Sequence, residues 1–309
     1  MDWNTSAERG YEEKPAGSIW RTDVSSIRKV RATMHGAVSI VNAIATGNGS
    51  SLGISLRVTA EAEFGKGRGM KFLTGKSNDK LVSNIVYNTI PTKIIENNLI
   101  TIKVKSEIPI GFGLKSSSAF SNAVALACSR LVREDMDDKM VLDTAVRASL
   151  DAKVSITGAY DDAAACYFGG FTITDNYSRK LIRRDDVPEN IYAIILLPRN
   201  TPRGDVHKLT NLSDLFADAF KLAEAGEYWK AMKLNGVLAT VALSSKYHPM
   251  MAAIEHGALA ASISGNGPSI AAVAYGEKVE DIKSVLSKFD GRVIVSKVNN
   301  QKASAEVLQ

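Results

Sequence analysis

The sequence has little of what stabilises a small secreted or zinc-dependent domain. Among 309 residues there are only two cysteines, Cys128 and Cys166, and both lie in alanine-rich apolar stretches. Such surroundings favour buried reduced thiols over a disulfide. The histidines are scattered along the chain without ligand spacing: His35, His207, His248 and His256. The composition therefore argues against a disulfide scaffold and against a structural zinc domain.

Long apolar runs and long basic runs are missing as well. No apolar stretch reaches the roughly 20 residues of a membrane-spanning helix, and the first 17 residues lack the basic start and apolar stretch of a secretory signal. We therefore expect a cytoplasmic protein with no membrane partner. The net charge is +5, but no basic stretch is interleaved with aromatic residues. A nucleic-acid partner is not expected, whereas modest attraction for small anions is.

The length of 309 residues exceeds what one hydrophobic core usually organises, so two domains are expected. Residues 1–29 are polar, are broken by glycine and proline, and show no sustained hydrophobic period. This pattern indicates an accessory or disordered N-terminal extension. The pattern changes again shortly before the apolar run IYAIILLP. We place an N-terminal domain at residues 30–178 and a C-terminal domain at residues 179–309, both of the α+β class.

Local patterns predict individual elements. Alternation in LGISLRVTAEAEF and ITIKVKSEIPI predicts half-buried strands. A turn and a strand are predicted in SISGNGPSIAAVAYG, a helix in VEDIKSVLSKF and a second strand in GRVIVSKV, and two strands flanking a helix suggest a ferredoxin-like half. In the N-terminal half, apolar spacing predicts helices over residues 80–90, 119–132 and 139–150. In the C-terminal half, the predicted helices cover residues 205–225 and 227–243, and a small-residue helix ends at 258–262.

Residues 106–128 read SEIPIGFGLKSSSAFSNAVALAC, which predicts a strand, a glycine turn and the start of a helix. The first turn of a helix has unpaired N–H groups and partial positive charge, so phosphate can bind there if glycines let it approach. The spacing is not that of G-x-x-x-x-G-K-[ST], because one residue separates Gly111 from Gly113. Lys115 therefore cannot be given that motif's lysine role. The alternative is an ordinary capped helix after a tight turn.

Asp161 and Asp162 stand side by side in the small-residue stretch ITGAYDDAAACYFGG. A purely structural segment of this kind rarely contains two adjacent carboxylates. At least one of them could accept or orient the proton of a substrate hydroxyl. The alternative is that both cap the helix that follows.

Three separated segments carry a shared pattern. A proline, a short spacer and G-L-x-S-S run from Pro109 to Ala119, a glycine-rich turn covers 264–268, and a strand pair covers 36–53. Together they resemble the kinases of galactose, homoserine, mevalonate and phosphomevalonate, the GHMP family. Within this family, the segments GLKSSSA, ITGAYDDAAACYFGG and SISGNGPS are similar to those of the archaeal type of shikimate kinase. The resemblance spans residues 31–300. It implies a two-domain α+β fold, with an N-terminal ribosomal protein S5 domain 2-like part and a C-terminal ferredoxin-like part.

The resemblance also implies an activity, the ATP- and Mg²⁺-dependent phosphorylation of the 3-hydroxyl of shikimate, and roles for individual residues. Magnesium would contact Ser117 and Asp151. The base would be Asp161 by homoserine-kinase spacing to Gly169 or Asp162 by mevalonate-kinase spacing, and we favour Asp161 by a narrow margin. The ATP phosphates would contact Pro109, Gly111, Gly113, Leu114, Lys115, Ser116, Ser117, Ser118, Gly265, Asn266 and Gly267.

Many relatives have a glycine where this chain has Lys115, and whether the lysine contacts phosphate, a carboxylate or neither stays open. Shikimate carries a carboxylate, which suits an arginine fork. Arg203, in the loop LPRNTPRGDVH, is the candidate for it, and Asn42 is the candidate for a ring hydroxyl. The alternatives are a homoserine or mevalonate-type small-alcohol kinase, an ATP-dependent decarboxylase of the same fold, and a non-catalytic metabolite-binding relative.

Overall fold

The computed structural model of the protein describes residues 29–73, 79–133, 137–152 and 158–308. The extension expected at residues 1–29 therefore lies outside the described residues, except for Lys29. The strands are β1 (Lys29–Val41), β2 (Asn48–Gly65), β3 (Gly69–Leu73), β4 (Leu99–Ser106), β5 (Phe171–Asp175), β6 (Lys180–Asp185), β7 (Ile191–Pro198), β8 (Ala260–Ile263), β9 (Ile270–Tyr275), β10 (Gly291–Lys297) and β11 (Ser304–Val307).

The helices of the same ranges lie between groups of these strands along the chain. They are α1 (Asp79–Thr89), α2 (Thr92–Asn97), α3 (Ser116–Val132), α4 (Asp138–Asp151), α5 (Tyr160–Phe168), α6 (Ser213–Glu224), α7 (Tyr228–Ala242), α8 (His248–Glu255) and α9 (Val279–Leu286). None of the described helices is long and apolar enough to cross a membrane.

The first sheet is built around β2, the longest strand of the described residues. Its order is β11-β1-β2-β4-β3, and β5 and β6 extend it from the start of β2. Residues 48–52 of β2 pair with β5, whereas residues 58–65 pair with β4. Residues alternate between half-buried and buried over the first six positions of β1, as the period of two in a strand requires, and its last seven residues are all buried. Helix α3 packs on β1 and β2, since its alanines allow close approach.

The second sheet has the order β10-β7-β9-β8 and is antiparallel throughout. Helix α7 packs against β8, and α9 packs against β7. Helices α6 and α7 also contact β1 of the first sheet, and β10 contacts β2, so the two layers pack against each other. This arrangement confirms the α+β class.

Most of the predicted elements form within a few residues of their expected bounds, and two differ. Residues 258–262 do not end a helix, because β8 runs from Ala260 to Ile263 with all four residues buried between β9 and α7. The small side chains that suggested close helix packing instead let α7 lie close to the strand. Residues 205–225 form a 3-10 segment, Val206–Leu212, before α6 begins at Ser213.

Two strands bear on the domain division. Strand β6 follows the boundary expected at residue 178 yet pairs with β5, and β11 returns to pair with β1. Both strands therefore lie in the first sheet. In the chain, β6 comes before the strands of the second sheet and β11 comes after them. We propose a division after β6, with the last strand returned to the N-terminal part.

Candidate active site

A cleft of about 870 Å³ lies where the two layers meet. Its walls are the glycine turn before α3, the end of β1, the start of α5 and the turn between β8 and β9. The volume is in the range of sites for small molecules and cofactors. Most of the residues singled out in the sequence line this one cleft: Asn42, Gly111, Gly113, Lys115, Ser116, Ser117, Ser118, Asp161, Asp162, Arg203, Gly265, Asn266 and Gly267.

The glycine turn before α3 has an unusual backbone. Gly111 has φ +90°, Gly113 has φ +75°, and Lys115, although not a glycine, has φ +64°. A helix of 17 residues begins directly afterwards at Ser116, without a side-chain cap. Its first N–H groups have no partner within the helix. The backbone therefore has the geometry that a phosphate site at the positive end of α3 requires, and the site itself stays a prediction.

The turn between β8 and β9 holds the glycine turn in place. The Ser264 hydroxyl donates to the Gly113 carbonyl at 2.8 Å, and the Ser269 hydroxyl donates to the Phe112 carbonyl at 2.5 Å. A Cβ added to Gly113 would overlap the Ser264 carbonyl. Because two hydroxyls and a close backbone contact join the two turns, both walls of the cleft have a fixed separation here.

Substitution of Gly113 should therefore separate the two walls. We expect Gly113→Ala to lower the free energy of unfolding by about 1–3 kcal/mol, because its φ is positive and its Cβ has no space. The affinity for ATP should fall with it. Gly69→Ala is the matched control, since its φ is also positive but nothing lies within 4 Å of an added Cβ. Thermal melts with and without MgATP measure both effects, and equal losses in the two variants would contradict the close contact.

Lys115 occupies the floor of the cleft. Its ammonium Nζ lies 2.5 Å from Asp162 Oδ1 and donates to Ser39 Oγ at 2.8 Å, with 4% of the side chain exposed. The lysine thus contacts a carboxylate of the chain itself, whereas a contact between Lys115 and a phosphate stays a prediction. Burial by itself would lower the pKa of Lys115, but Asp162 and Asp161 outweigh it and raise the pKa above its usual value. The lysine is therefore a cation at neutral pH, beside Asp162.

The two adjacent carboxylates lie in the first turn of α5, and each has different surroundings. The Asn176 amide donates to Asp161 Oδ1 at 2.8 Å and accepts from the Asp161 N–H at 2.9 Å, so Asp161 is buried and held. The Asp162 side chain is 23% exposed toward the cleft. Burial raises the pKa of Asp162 to about 7, Lys115 opposes the shift, and Asp161 adds to it.

This geometry disfavours the capping alternative for the two carboxylates. The N-cap of α5 is Ala159, and no side chain caps it. Both carboxylates instead stand at the positive end of α5, inside the cleft. The Asp161 carboxylate is fixed by the Asn176 amide, whereas the Asp162 carboxylate is accessible to a ligand.

Three of the residues given by the resemblance are not among the residues lining the cleft. Leu114 is fully buried in the hydrophobic core, so only its backbone could approach a phosphate. Pro109 is half-buried ahead of the turn. Asp151 is exposed at the last residue of α4, immediately after Ser149 and Leu150, which do line the cleft. A metal role for Asp151 stays a prediction.

The two substrate candidates differ in how much of each side chain is already bonded. Arg203 is exposed at the mouth of the cleft, and its Nε donates to the Gly111 carbonyl at 3.3 Å. Asn42 is buried, and its amide donates to the Gly265 carbonyl and accepts from the Ile44 N–H. The guanidinium of Arg203 retains further donors for a ligand. Much of the capacity of Asn42 is already used to join β1 to the second glycine turn.

Two residues that the sequence analysis did not select also line the cleft. Ser39 lies inside the apolar run VSIV of β1, where a single serine resembles any strand residue. Asn176 lies in the turn after β5, and only the fold brings it to Asp161. An asparagine at a turn is expected for conformational reasons alone, so its sequence position gives no signal of a role in the site.

A metal in the cleft would meet oxygen ligands. Among the residues the structure describes, no cluster of three or more histidine, cysteine, aspartate or glutamate side chains could hold a metal on its own. Magnesium prefers oxygen and is often held by one or two protein groups plus substrate phosphates. The Ser117 hydroxyl lines the cleft, and Asp151 carries a carboxylate next to its lining residues. These donors fit Mg²⁺ bound together with a nucleotide.

The chain resembles known proteins over most of its length. Residues 82–170 match the family described as the GHMP kinases N terminal domain. The shikimate kinase of Methanobrevibacter smithii is 37% identical over 281 residues, which cover 86% of this chain and 95% of that protein. The shikimate kinase of Pyrococcus furiosus is 36% identical over 266 residues, which cover 84% of this chain and 96% of that protein.

Solved structures share the fold. A homoserine kinase from Cytophaga hutchinsonii superposes with a TM-score of 0.73 at 22% identity and covers 91% of this chain and 98% of its own. The mevalonate kinase of Methanococcus jannaschii gives a TM-score of 0.70 at 16% identity and covers 87% of this chain and 98% of its own. These likenesses confirm the two-domain fold expected from the sequence. Together with the identity to the two shikimate kinases, they establish that this chain belongs to the GHMP kinase family.

Proposed function

We propose that this protein is a shikimate kinase, which transfers the γ-phosphoryl group of ATP to the 3-hydroxyl of shikimate. The observation that carries the reaction is the cleft itself, where a glycine turn at the start of α3 faces a carboxylate paired with a buried lysine. The relatives of known substrate, which match more than four fifths of the chain, support shikimate as the acceptor.

The residues of the cleft support a division of roles. The N–H groups at the start of α3 and the turn 264–268 would hold the phosphates. Asp162 would accept the proton of the attacking hydroxyl of shikimate. The hydroxyl oxygen would bond to the γ-phosphorus while the bond from that phosphorus to the leaving ADP oxygen breaks. We favour Asp162 over Asp161, in contrast to the sequence-based preference, because it is accessible from the cleft and contacts Lys115. Asp161 would position the first turn of α5 through Asn176.

Lys115 affects the proposed base, Asp162, in two ways. Its ammonium opposes the rise in the pKa of Asp162, so more of the carboxylate is ionised at neutral pH. It also fixes the direction of one carboxylate oxygen, at 2.5 Å, and leaves the other for the substrate. Both effects favour removal of a proton from a neutral alcohol.

Magnesium would be held by the nucleotide phosphates with Ser117 and Asp151. When bound, it would neutralise phosphate charge as the phosphoryl group transfers. Ser117 contributes a hydroxyl in the first turn of α3, next to the N–H groups that would bind the phosphates.

The carboxylate of shikimate would contact Arg203. We expect Arg203→Gln to raise the KM for shikimate about tenfold and to leave the KM for ATP almost unchanged, a modest effect because the guanidinium is exposed. Arg199→Gln is the control, since Arg199 is exposed on the same loop but is not among the cleft-lining residues. A matching rise in both variants, or a rise in the KM for ATP instead, would remove Arg203 from the substrate site.

The function is tested by release of ADP from MgATP with shikimate, homoserine, mevalonate or galactose as the acceptor, against a blank without acceptor. We expect release above the blank with shikimate and little with the others. Turnover with another alcohol would retain the kinase chemistry and reject the substrate. Binding without turnover would indicate a metabolite-binding relative.

A further inference from the structure

Ser39 lies at the point where both glycine turns and the Lys115–Asp162 pair meet. Its side chain is 1% exposed and lines the cleft. Its Oγ accepts from Lys115 Nζ at 2.8 Å and from the Gly265 N–H at 2.9 Å. Ser39 therefore connects the phosphate side of the cleft to the proposed base.

The hydrogen bonds of Ser39 leave one group unused. A serine hydroxyl has two acceptor lone pairs and one O–H donor. Both lone pairs are taken by the lysine and by the Gly265 amide. Among the residues that the structure describes, none accepts the hydroxyl hydrogen. A buried donor without an acceptor is costly, so a molecule bound in the cleft is the natural source of one.

The surroundings indicate what kind of acceptor this is. Two N–H donors, one of them charged, polarise the hydroxyl and strengthen it as a donor. The hydroxyl also lies between the two turns that would hold phosphates. A phosphoryl group held by these turns would bring anionic oxygens, which are strong acceptors, to this position.

We infer that Ser39 is a further catalytic residue, whose hydroxyl donates to an oxygen of the phosphoryl group as it transfers. This inference rests on the proposed function, since it assigns a role within the same cleft. The Ser39 hydroxyl would stabilise negative charge on the transferring phosphoryl group and would not contribute to the binding of ADP.

The test compares Ser39→Ala with Ser51→Ala. Ser51 lies directly opposite Ser39 on β2, is fully buried, and has a hydroxyl without a partner in the structure. Affinities are measured for MgADP alone and for MgADP with aluminium fluoride and shikimate, a complex that mimics the transferring phosphoryl group. For Ser39→Ala we expect about 100-fold weaker binding of the mimic and a similar fall in kcat, with ADP affinity within about twofold of wild type. Ser51→Ala should behave as wild type.

Other outcomes would overturn the inference. Equal losses in ADP and mimic affinity would mean that Ser39 only joins the two turns, and a loss confined to shikimate affinity would assign its hydroxyl to the substrate. If Ser39→Ala proves too unstable to purify, Ser39→Cys, which keeps the shape with a weaker donor, should show a smaller loss of the same kind. The comparison is also made with MgADP and aluminium fluoride in the absence of shikimate. A wild-type protein inactive on shikimate would therefore reject the proposed substrate while the Ser39 comparison remained readable.

Discussion

Asp162→Asn should lower kcat by about a thousandfold, within the range that general base catalysis contributes. The amide keeps the shape of the side chain but cannot accept the proton of the attacking hydroxyl. The KM for ATP should change little, because Asp162 lies in the first turn of α5, whereas the phosphates would be held by N–H groups at the start of α3. Steady-state kinetics with shikimate and ATP varied separately distinguish the two effects.

Asp161→Asn is the matched comparison for this substitution. Asp161 already bonds to Asn176, and an asparagine can retain an oxygen toward that amide. We expect a loss of only about tenfold, in keeping with a positioning role. The reverse order of the two losses would return the base to Asp161, as homoserine-kinase spacing suggests.

The pH dependence of the wild-type enzyme should report the same carboxylate. Since burial raises the pKa of Asp162 to about 7, the ionised base is lost as the pH falls through this value. We expect kcat/KM for shikimate to rise with pH along an acidic limb centred near pH 7. The limb should be absent from the residual activity of Asp162→Asn.

Lys115→Met should produce the second large effect. The substitution removes the cation that opposes the rise in the pKa of Asp162, so the acidic limb should move to higher pH. At neutral pH we expect kcat/KM to fall by more than tenfold. The free energy of unfolding should also fall, but by less than the roughly 3–5 kcal/mol of a fully buried pair, because Asp162 is partly exposed and can become protonated.

Lys139→Met is the control for this substitution. Lys139 also pairs with a carboxylate, Asp143 at 2.6 Å, but 63% of its side chain is exposed. Exposed pairs contribute about 0–1 kcal/mol, so neither stability nor the pH profile should change measurably. A Lys115→Met enzyme with the wild-type acidic limb would show that the lysine does not act on the base.

Local patterns predicted much of the site. The glycine turn was recognisable because Gly111 and Gly113 precede a small-residue helix, and the structure places both glycines in the cleft at positive φ. The paired carboxylates were recognisable because charged residues are rare in such an apolar stretch. Each of these signals lies within a few consecutive residues.

Contacts between distant segments could not be predicted in the same way. Nothing near Lys115 in the sequence indicates that its side chain meets Asp162 in the cleft. The Ser39 hydroxyl accepts from the N–H of Gly265, which belongs to the other sheet layer. Asn176, in the turn after β5, accepts from the N–H of Asp161, which is 15 residues away in the sequence. The prediction that a helix ends at residues 258–262 was wrong for a related reason. Small side chains suit a helix, but they equally suit a strand against which α7 packs closely.

The most direct test is to identify the product made from MgATP and shikimate by the purified protein, using mass spectrometry and phosphorus NMR. We expect one phosphate ester, on the 3-hydroxyl of shikimate, formed in equal amount to ADP and about a thousandfold more slowly by Asp162→Asn. Inorganic phosphate in place of the ester, or an ester at another hydroxyl, would contradict the proposed reaction.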